Sequence, residues 1–201
     1  NVIGNAAPVL DESTGIIWVP FCRNNEEVLL THSVDEGKTW AQPKPLQGVV
    51  SPDWKWVGLG PPAGLQLKSG RLLIPSYHTT AYKGDGELSE GHTMYSDDGG
   101  ATWHIGASTF GSPFKSNECQ AVQLTNGSVL INARVLLNRR IQVISNDGGL
   151  TFGDSAIANG LTETVEGCEG SIIGGDNGVL YYSGVSNNKL IRRGMQIYQS
   201  L

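Results

Sequence analysis

The sequence predicts an all-β chain made of repeated antiparallel sheets, and three observations carry that prediction. The pattern Ser-x-Asp-x-Gly-x-Thr-aromatic occurs three times. A second pattern, an apolar run, a turn with Gly and another apolar run, interleaves with it. The apolar runs are short and end at Gly, Pro, Asn or Asp, and none carries the three-to-four-residue period of a convincing amphipathic helix.

The boxes come first. They occupy Ser33, Asp35, Gly37, Thr39 and Trp40, then Ser96, Asp98, Gly100, Thr102 and Trp103, then Ser145, Asp147, Gly149, Thr151 and Phe152. Ser200 follows another strand-like run at a similar interval, where a fourth copy is expected to begin. A short acidic side chain can accept hydrogen bonds from the backbone N–H groups of its own tight turn. Glycine allows positive φ there, the hydroxyls of Ser and Thr bond locally, and the closing aromatic can anchor one sheet against the next. The box is therefore expected to serve folding. Each acidic turn stands alone and lacks the ligand density of a calcium loop.

The hairpins come next. Ala7–Leu10 is expected to pair with Gly15–Trp18, Leu65–Leu67 with Gly70–Ile74, Ala121–Leu124 with Gly127–Ile131, and Ser171–Ile173 with Gly178–Tyr181. Two hairpins per period of about 50 to 60 residues give four strands per period, the blade of a β-propeller. The chain holds about three and a half such periods, with no linker or low-complexity segment dividing residues 1–201.

Composition narrows the function classes. A net charge of −5, with no run of Lys or Arg, argues against nucleic-acid binding. No apolar stretch reaches the 18 residues needed to span a membrane. Cys22, Cys119 and Cys168 are odd in number, which points to reduced thiols and favours a reducing compartment. The four His form no metal-ligand spacing, so neither metal nor cofactor is expected. Asn1 is not preceded by Met and Leu201 directly follows a strand-like run, so both ends are expected to be cut.

The boxes resemble the Asp boxes (BNR repeats) of the sialidase, or neuraminidase, superfamily. Other segments sharpen the resemblance: Gly4–Val9, Gly60–Leu67, Gly70–Tyr77, Asn117–Gln120 followed by Ile131–Arg134, and Gly167–Ser171. Together they extend over essentially the whole chain. The resemblance implies a six-bladed β-propeller, of which residues 1–201 form one domain supplying three to four blades. It implies an exo-α-sialidase acting on sialylated glycoproteins, glycolipids or oligosaccharides. A trans-sialidase and a non-catalytic carbohydrate- or protein-binding propeller are the alternatives.

The resemblance also assigns roles. Such a substrate carries a carboxylate at its anomeric carbon, and the planar fork of Arg suits a carboxylate. Arg134 matches the second of three carboxylate-binding arginines. Arg192, eight residues before Ser200, matches the third in preference to its neighbour Arg193, because alternation along a strand would send the two to opposite faces. Glu118 matches the glutamate that activates a Tyr nucleophile, and Asn5 and Tyr77 match sugar-contacting positions. Glu169 stands where relatives carry Gln, which places a carboxylate near an anionic ligand. The first arginine, the general-acid Asp and the nucleophilic Tyr are expected outside residues 1–201.

Overall fold

The computed structural model describes residues 1–81, 89–186 and 191–200. These residues form four antiparallel sheets and no helix, arranged as blades of a β-propeller. In the first, β1 (Ile3–Gly4) and β2 (Val9–Asp11) both pair with β3 (Ile16–Arg23), followed by β4 (Glu27–Ser33) and β5 (Lys44–Pro45). The second repeats that plan. There β6 (Trp56–Leu59) and β7 (Leu65–Gln66) both pair with β8 (Leu72–Thr79), followed by β9 (Glu90–Ser96) and β10 (His104–Ile105). The third runs in simple order through β11 (Cys119–Gln123), β12 (Val129–Arg134), β13 (Arg139–Ser145) and β14 (Ala156–Thr162). The fourth contains β15 (Ser171–Gly174), β16 (Leu180–Val185) and β17 (Met195–Gln199).

All four expected hairpins form, at β2–β3, β7–β8, β11–β12 and β15–β16. One feature departs from the expected four strands per blade. The first strand of each of the first two sheets is broken in the middle, so each holds five pieces. In the first sheet the break follows Asn5, whose φ of 52° turns the chain out of the ladder. In the second sheet it spans Gly60 to Gly64. A Cβ at Gly60 would collide with the carbonyls of Cys119 and Pro75, so only glycine lets three strands approach there.

Three cores form between successive sheets. Ala7, Val9, Cys22, Leu59, Leu72, Ile74, Met94 and Trp103 meet between the first and second. Leu67, Leu73, Phe110, Ala121, Ile131 and Val143 meet between the second and third. Val122, Leu130, Ile172 and Tyr182 meet between the third and fourth. Strand β8 has a sheet on either side, and all eight of its residues are buried. Each such Leu or Ile gains about 1.5–3 kcal/mol on burial.

The boxes sit at these junctions. In each, the Ser Oγ donates to the Asp Oδ1, and the Thr backbone N–H and hydroxyl donate to the same Asp. The Gly N–H donates back to the Ser Oγ. The bonds from Thr102 and Ser96 hold the Asp98 carboxyl at about 2. Burial pushes Asp147 upward, yet its bonds from Thr151 and Ser145 win and bring it to about 2 as well. Trp103 packs as anticipated, only 4% exposed, whereas Trp40 is 47% exposed. The three cysteines are free thiols. Burial pushes Cys22 up to about 12, which keeps it protonated and inert.

Candidate functional site

The boxes lie where the third strand of a blade ends. The opposite rim, where that strand begins and the second strand ends, gathers the charged and polar residues. Glu118 immediately precedes β11 and Arg134 closes β12, and the two strands pair in antiparallel register. The ladder runs past the strand ends, with Asn117 N–H donating to Arg134 O and Arg134 N–H to Glu118 O. That register brings the side chains together: Arg134 Nη1 donates to Glu118 Oε2 at 2.6 Å. Both are largely buried, with side-chain exposures of 16% and 19%.

The other edge of the Arg134 guanidinium faces main chain. Nε and Nη2 both donate to the carbonyl of Glu166, at 3.3 and 3.0 Å. Each terminal nitrogen keeps one further N–H, enough for a bidentate bond to a ligand carboxylate. Gly167 follows at a φ of +70°, so close that a Cβ there would meet Arg134 Cγ at 2.8 Å.

Asn5 Nδ2 donates to Tyr77 Oη at 3.1 Å, joining the break in the first sheet to β8. Burial raises the Tyr77 hydroxyl well above the ordinary phenol range, and the Glu118 carboxylate raises it further. Tyr77 is therefore a neutral hydrogen-bonding group and unsuited to act as a nucleophile. Glu169 lies in the turn after Gly167. Burial lifts its carboxyl, and the nearby Glu118 charge adds to the lift, opposed by Arg140 and Arg134.

The structure thus brings Asn5, Tyr77, Glu118, Arg134 and Glu169 within mutual influence on one rim. Arg192, between the end of β16 and the start of β17, makes no such contact. It is exposed, in the irregular segment before β17, and forms no hydrogen bond or ion pair with the other five among the described residues. Because it lies outside the strand, alternation does not decide between Arg192 and Arg193.

A cleft of about 280 Å3 adjoins the cluster, lined by Pro113, Phe114, Lys115, Asn117 and Val135 to Leu137. On β8, next to Tyr77, His78 meets His92 of β9 at 3.2 Å between their Nδ1 atoms. One ring must therefore carry its proton on Nδ1 and the other must accept it. The Trp54 ring stacks on His78 at 4.0 Å. Burial drives His78 down to about 4 and holds His92 well below the usual imidazole value. No cluster of three or more His, Cys, Asp and Glu side chains could hold a metal among the described residues.

Sequence reasoning missed a second polar group behind this rim, made of Asn132, Arg140, Glu163 and Tyr182. The signal was present but slight. Arg140 is the register partner of Arg134, so the two share a face, and Asn132 lies two residues from Arg134 on that face.

Residues 3–189 match the family model of the BNR repeat-like domain. Sialidase-4 of Mus musculus is 33% identical over 195 residues, a match covering 85% of this chain and 40% of that protein. Among solved structures, the Hadza microbial sialidase Hz136 superposes with a TM-score of 0.84 at 24% identity, covering 100% of this chain and 43% of its own. An intramolecular trans-sialidase from Ruminococcus gnavus, solved with oseltamivir carboxylate, superposes with a TM-score of 0.72 at 25% identity, covering 86% of this chain and 36% of its own. The chain spans less than half the length of each of these relatives.

Proposed function

The chain belongs to the sialidase superfamily, among its members with BNR repeats, and from that premise we propose that it supplies the sugar-binding half of an exo-α-sialidase site. The observation that carries this reading is the Glu118–Arg134 pair, held beside Tyr77 and Asn5 on one rim with N–H groups to spare. In this reading Arg134 and Arg192 hold the sialic acid carboxylate. Asn5, Tyr77 and Glu169 contact the sugar and its tail.

Glu118 serves as base. It takes the phenolic proton as a Tyr oxygen bonds to the anomeric carbon, and an acid protonates the departing glycosidic oxygen. Water then releases the sugar with its configuration retained, the Tyr-based variant of glycoside hydrolysis. A neutral Tyr avoids the repulsion that a carboxylate nucleophile would meet at an anionic sugar. The Tyr, the acid and a further arginine come from outside residues 1–201. The relatives named sialidase support the class, and the R. gnavus trans-sialidase, solved in complex with oseltamivir carboxylate, is in keeping with it.

The test is cleavage of a fluorogenic sialoside. Residues 1–201 alone are expected to be inactive, and a longer parent chain active. Glu118→Gln in the longer chain is expected to lower kcat by about 10²–10⁴-fold, the range of a lost acid–base group. Turnover by residues 1–201 overturns the division of labour. A longer chain that binds sialic acid without cleaving it points to the non-catalytic reading, and transfer of the sugar to an acceptor points to a trans-sialidase.

A further inference from the structure

Behind the Glu118–Arg134 pair a second arginine is enclosed completely. Arg140 and Glu163 are both 0% exposed. Arg140 Nε donates to Asn132 Oδ1 at 2.7 Å, and Nη1 donates to Glu163 Oε1 at 3.4 Å and to the carbonyl of Cys168 at 2.7 Å. Glu163 Oε1 also accepts from Tyr182 Oη at 2.7 Å, and the guanidinium sits 5.4 Å from the centre of the Tyr182 ring.

Stability alone gives no reason for this cluster. Removing an ion pair from water costs several kcal/mol per ion, returned only when geometry is excellent and every remaining polar atom is satisfied. Neither condition holds here. The ion pair is long, and Asn132 Nδ2 and Thr164 Oγ1 are buried with no hydrogen-bond partner among the described residues, although the Glu163 carboxylate also takes a backbone bond from Cys168. Burial raises the Glu163 carboxyl despite the opposing pull of Arg140, so the surroundings resist its charge. Apolar side chains of similar volume would serve folding at least as well.

The cluster does have a geometric consequence. Its shortest bond from Arg140 to main chain ends on Cys168 O. Two residues earlier in the same turn, Glu166 O receives Nε and Nη2 of Arg134. The intervening Gly167 leaves no room for slack, since a Cβ there would already press on Arg134. The turn at 166–168 is held from within by Arg140 at Cys168 O and by Glu163 at the Cys168 backbone, and its Glu166 carbonyl holds the Arg134 guanidinium.

We propose that Arg140 is a positioning residue: by anchoring Cys168 O it sets the 166–168 turn, and through Glu166 O it sets the direction in which Arg134 presents its remaining N–H groups to an anionic ligand. Its effect on sialic acid binding rests on the function proposed above, while its effect on Arg134 does not.

The test uses the chain labelled with ¹⁵N at arginine, and follows the Arg134 Nε–Hε resonance, assigned through Arg134→Lys. Lysine at 140 keeps the charge but cannot bond Asn132, Glu163 and Cys168 O in one plane. Arg140→Lys is expected to shift that resonance and to speed its exchange with water about tenfold or more, because the bond to Glu166 O loosens. The triple variant Arg140→Met, Glu163→Leu and Tyr182→Phe is expected to produce the same change in the Arg134 signal with the thermal midpoint held or raised. An Arg134 resonance unchanged in either folded variant overturns the proposal. So does a lowered midpoint without movement of that resonance, which would mark a purely structural arginine. Titration with N-acetylneuraminic acid forms a second arm. Affinity is expected to fall about ten- to a hundredfold in both variants, as when the partner behind a ligating group is removed. Absence of binding by the unsubstituted chain sinks the sialic acid reading, and the Arg134 resonance then decides the positioning role by itself.

Discussion

The two rims of this molecule are built on opposite plans. On the box rim the same bonds recur three times, each within eight residues of chain: Ser to Asp, Thr to Asp, Gly to Ser. On the other rim nothing recurs. Asn5 reaches Tyr77 across 72 residues, Arg134 reaches Glu118 and then Glu166, and Arg140 reaches Cys168. Local bonds make one rim a set of interchangeable clips, whereas long-range bonds make the other a single assembly that depends on all four sheets. Folding information is therefore repeated along the chain, while the bonds of the second rim are spread across it once.

The sharpest way to break that contrast is to make a clip act at long range. Gly100 has a φ of +94°, and a Cβ there would meet the Trp18 indole of the preceding sheet. Strain and clash together make Gly100→Ala cost about 3–4 kcal/mol. Gly127→Ala, also at positive φ but in open space, is expected to cost about 1 kcal/mol. Urea unfolding of the two variants measures the difference.

On the other rim, Arg134→Ala is expected to weaken N-acetylneuraminic acid binding about a hundredfold, since it deletes the fork and leaves Glu118 unpaired. Arg192→Ala is expected to weaken binding about tenfold, as for a more exposed charge. Calorimetric titration reads both. Equal affinity in the Arg192 variant would remove that residue from the site.

Asp147→Ala is expected to cost about 1–2 kcal/mol of stability through lost charge-assisted bonds, with sialic acid affinity unchanged. Its carboxyl, like that of Asp98, sits at about 2 when folded against 3.8 when free. A depressed acid pKa contributes stability that is full above the free value and is lost as pH falls through the folded one. Acid unfolding should therefore steepen between pH 4 and 2, and less so in Asp147→Ala.

A further effect is expected on the rim that carries Tyr77, at the neighbouring His78–His92 pair. His78 titrates at about 4 in the fold against 6.5 when free, so between these values the unfolded chain binds more protons. Stability should decline as pH falls from 6.5 toward 4, a drift measurable by thermal melts and flattened in His92→Gln. Glu90, which pulls His78 upward, and Lys115, which pushes it downward, bound the size of the drift.

The amino-acid sequence alone determined the four hairpins and the three boxes. Those features are settled within a few residues: by alternation, by a Gly at a turn, by an Asp whose donors lie up to four positions away. Resemblance in short motifs also pointed to Glu118, Arg134, Arg192, Asn5, Tyr77 and Glu169. Only the tertiary structure decided that Asn5 bonds Tyr77, that Arg134 is shared between Glu118 and Glu166 O, and that Trp103 is buried while Trp40 is not. It alone revealed Arg140, Glu163 and Tyr182 as one buried unit. A buried charge is tolerable only beside partners from distant segments, and no local pattern records which segments those are.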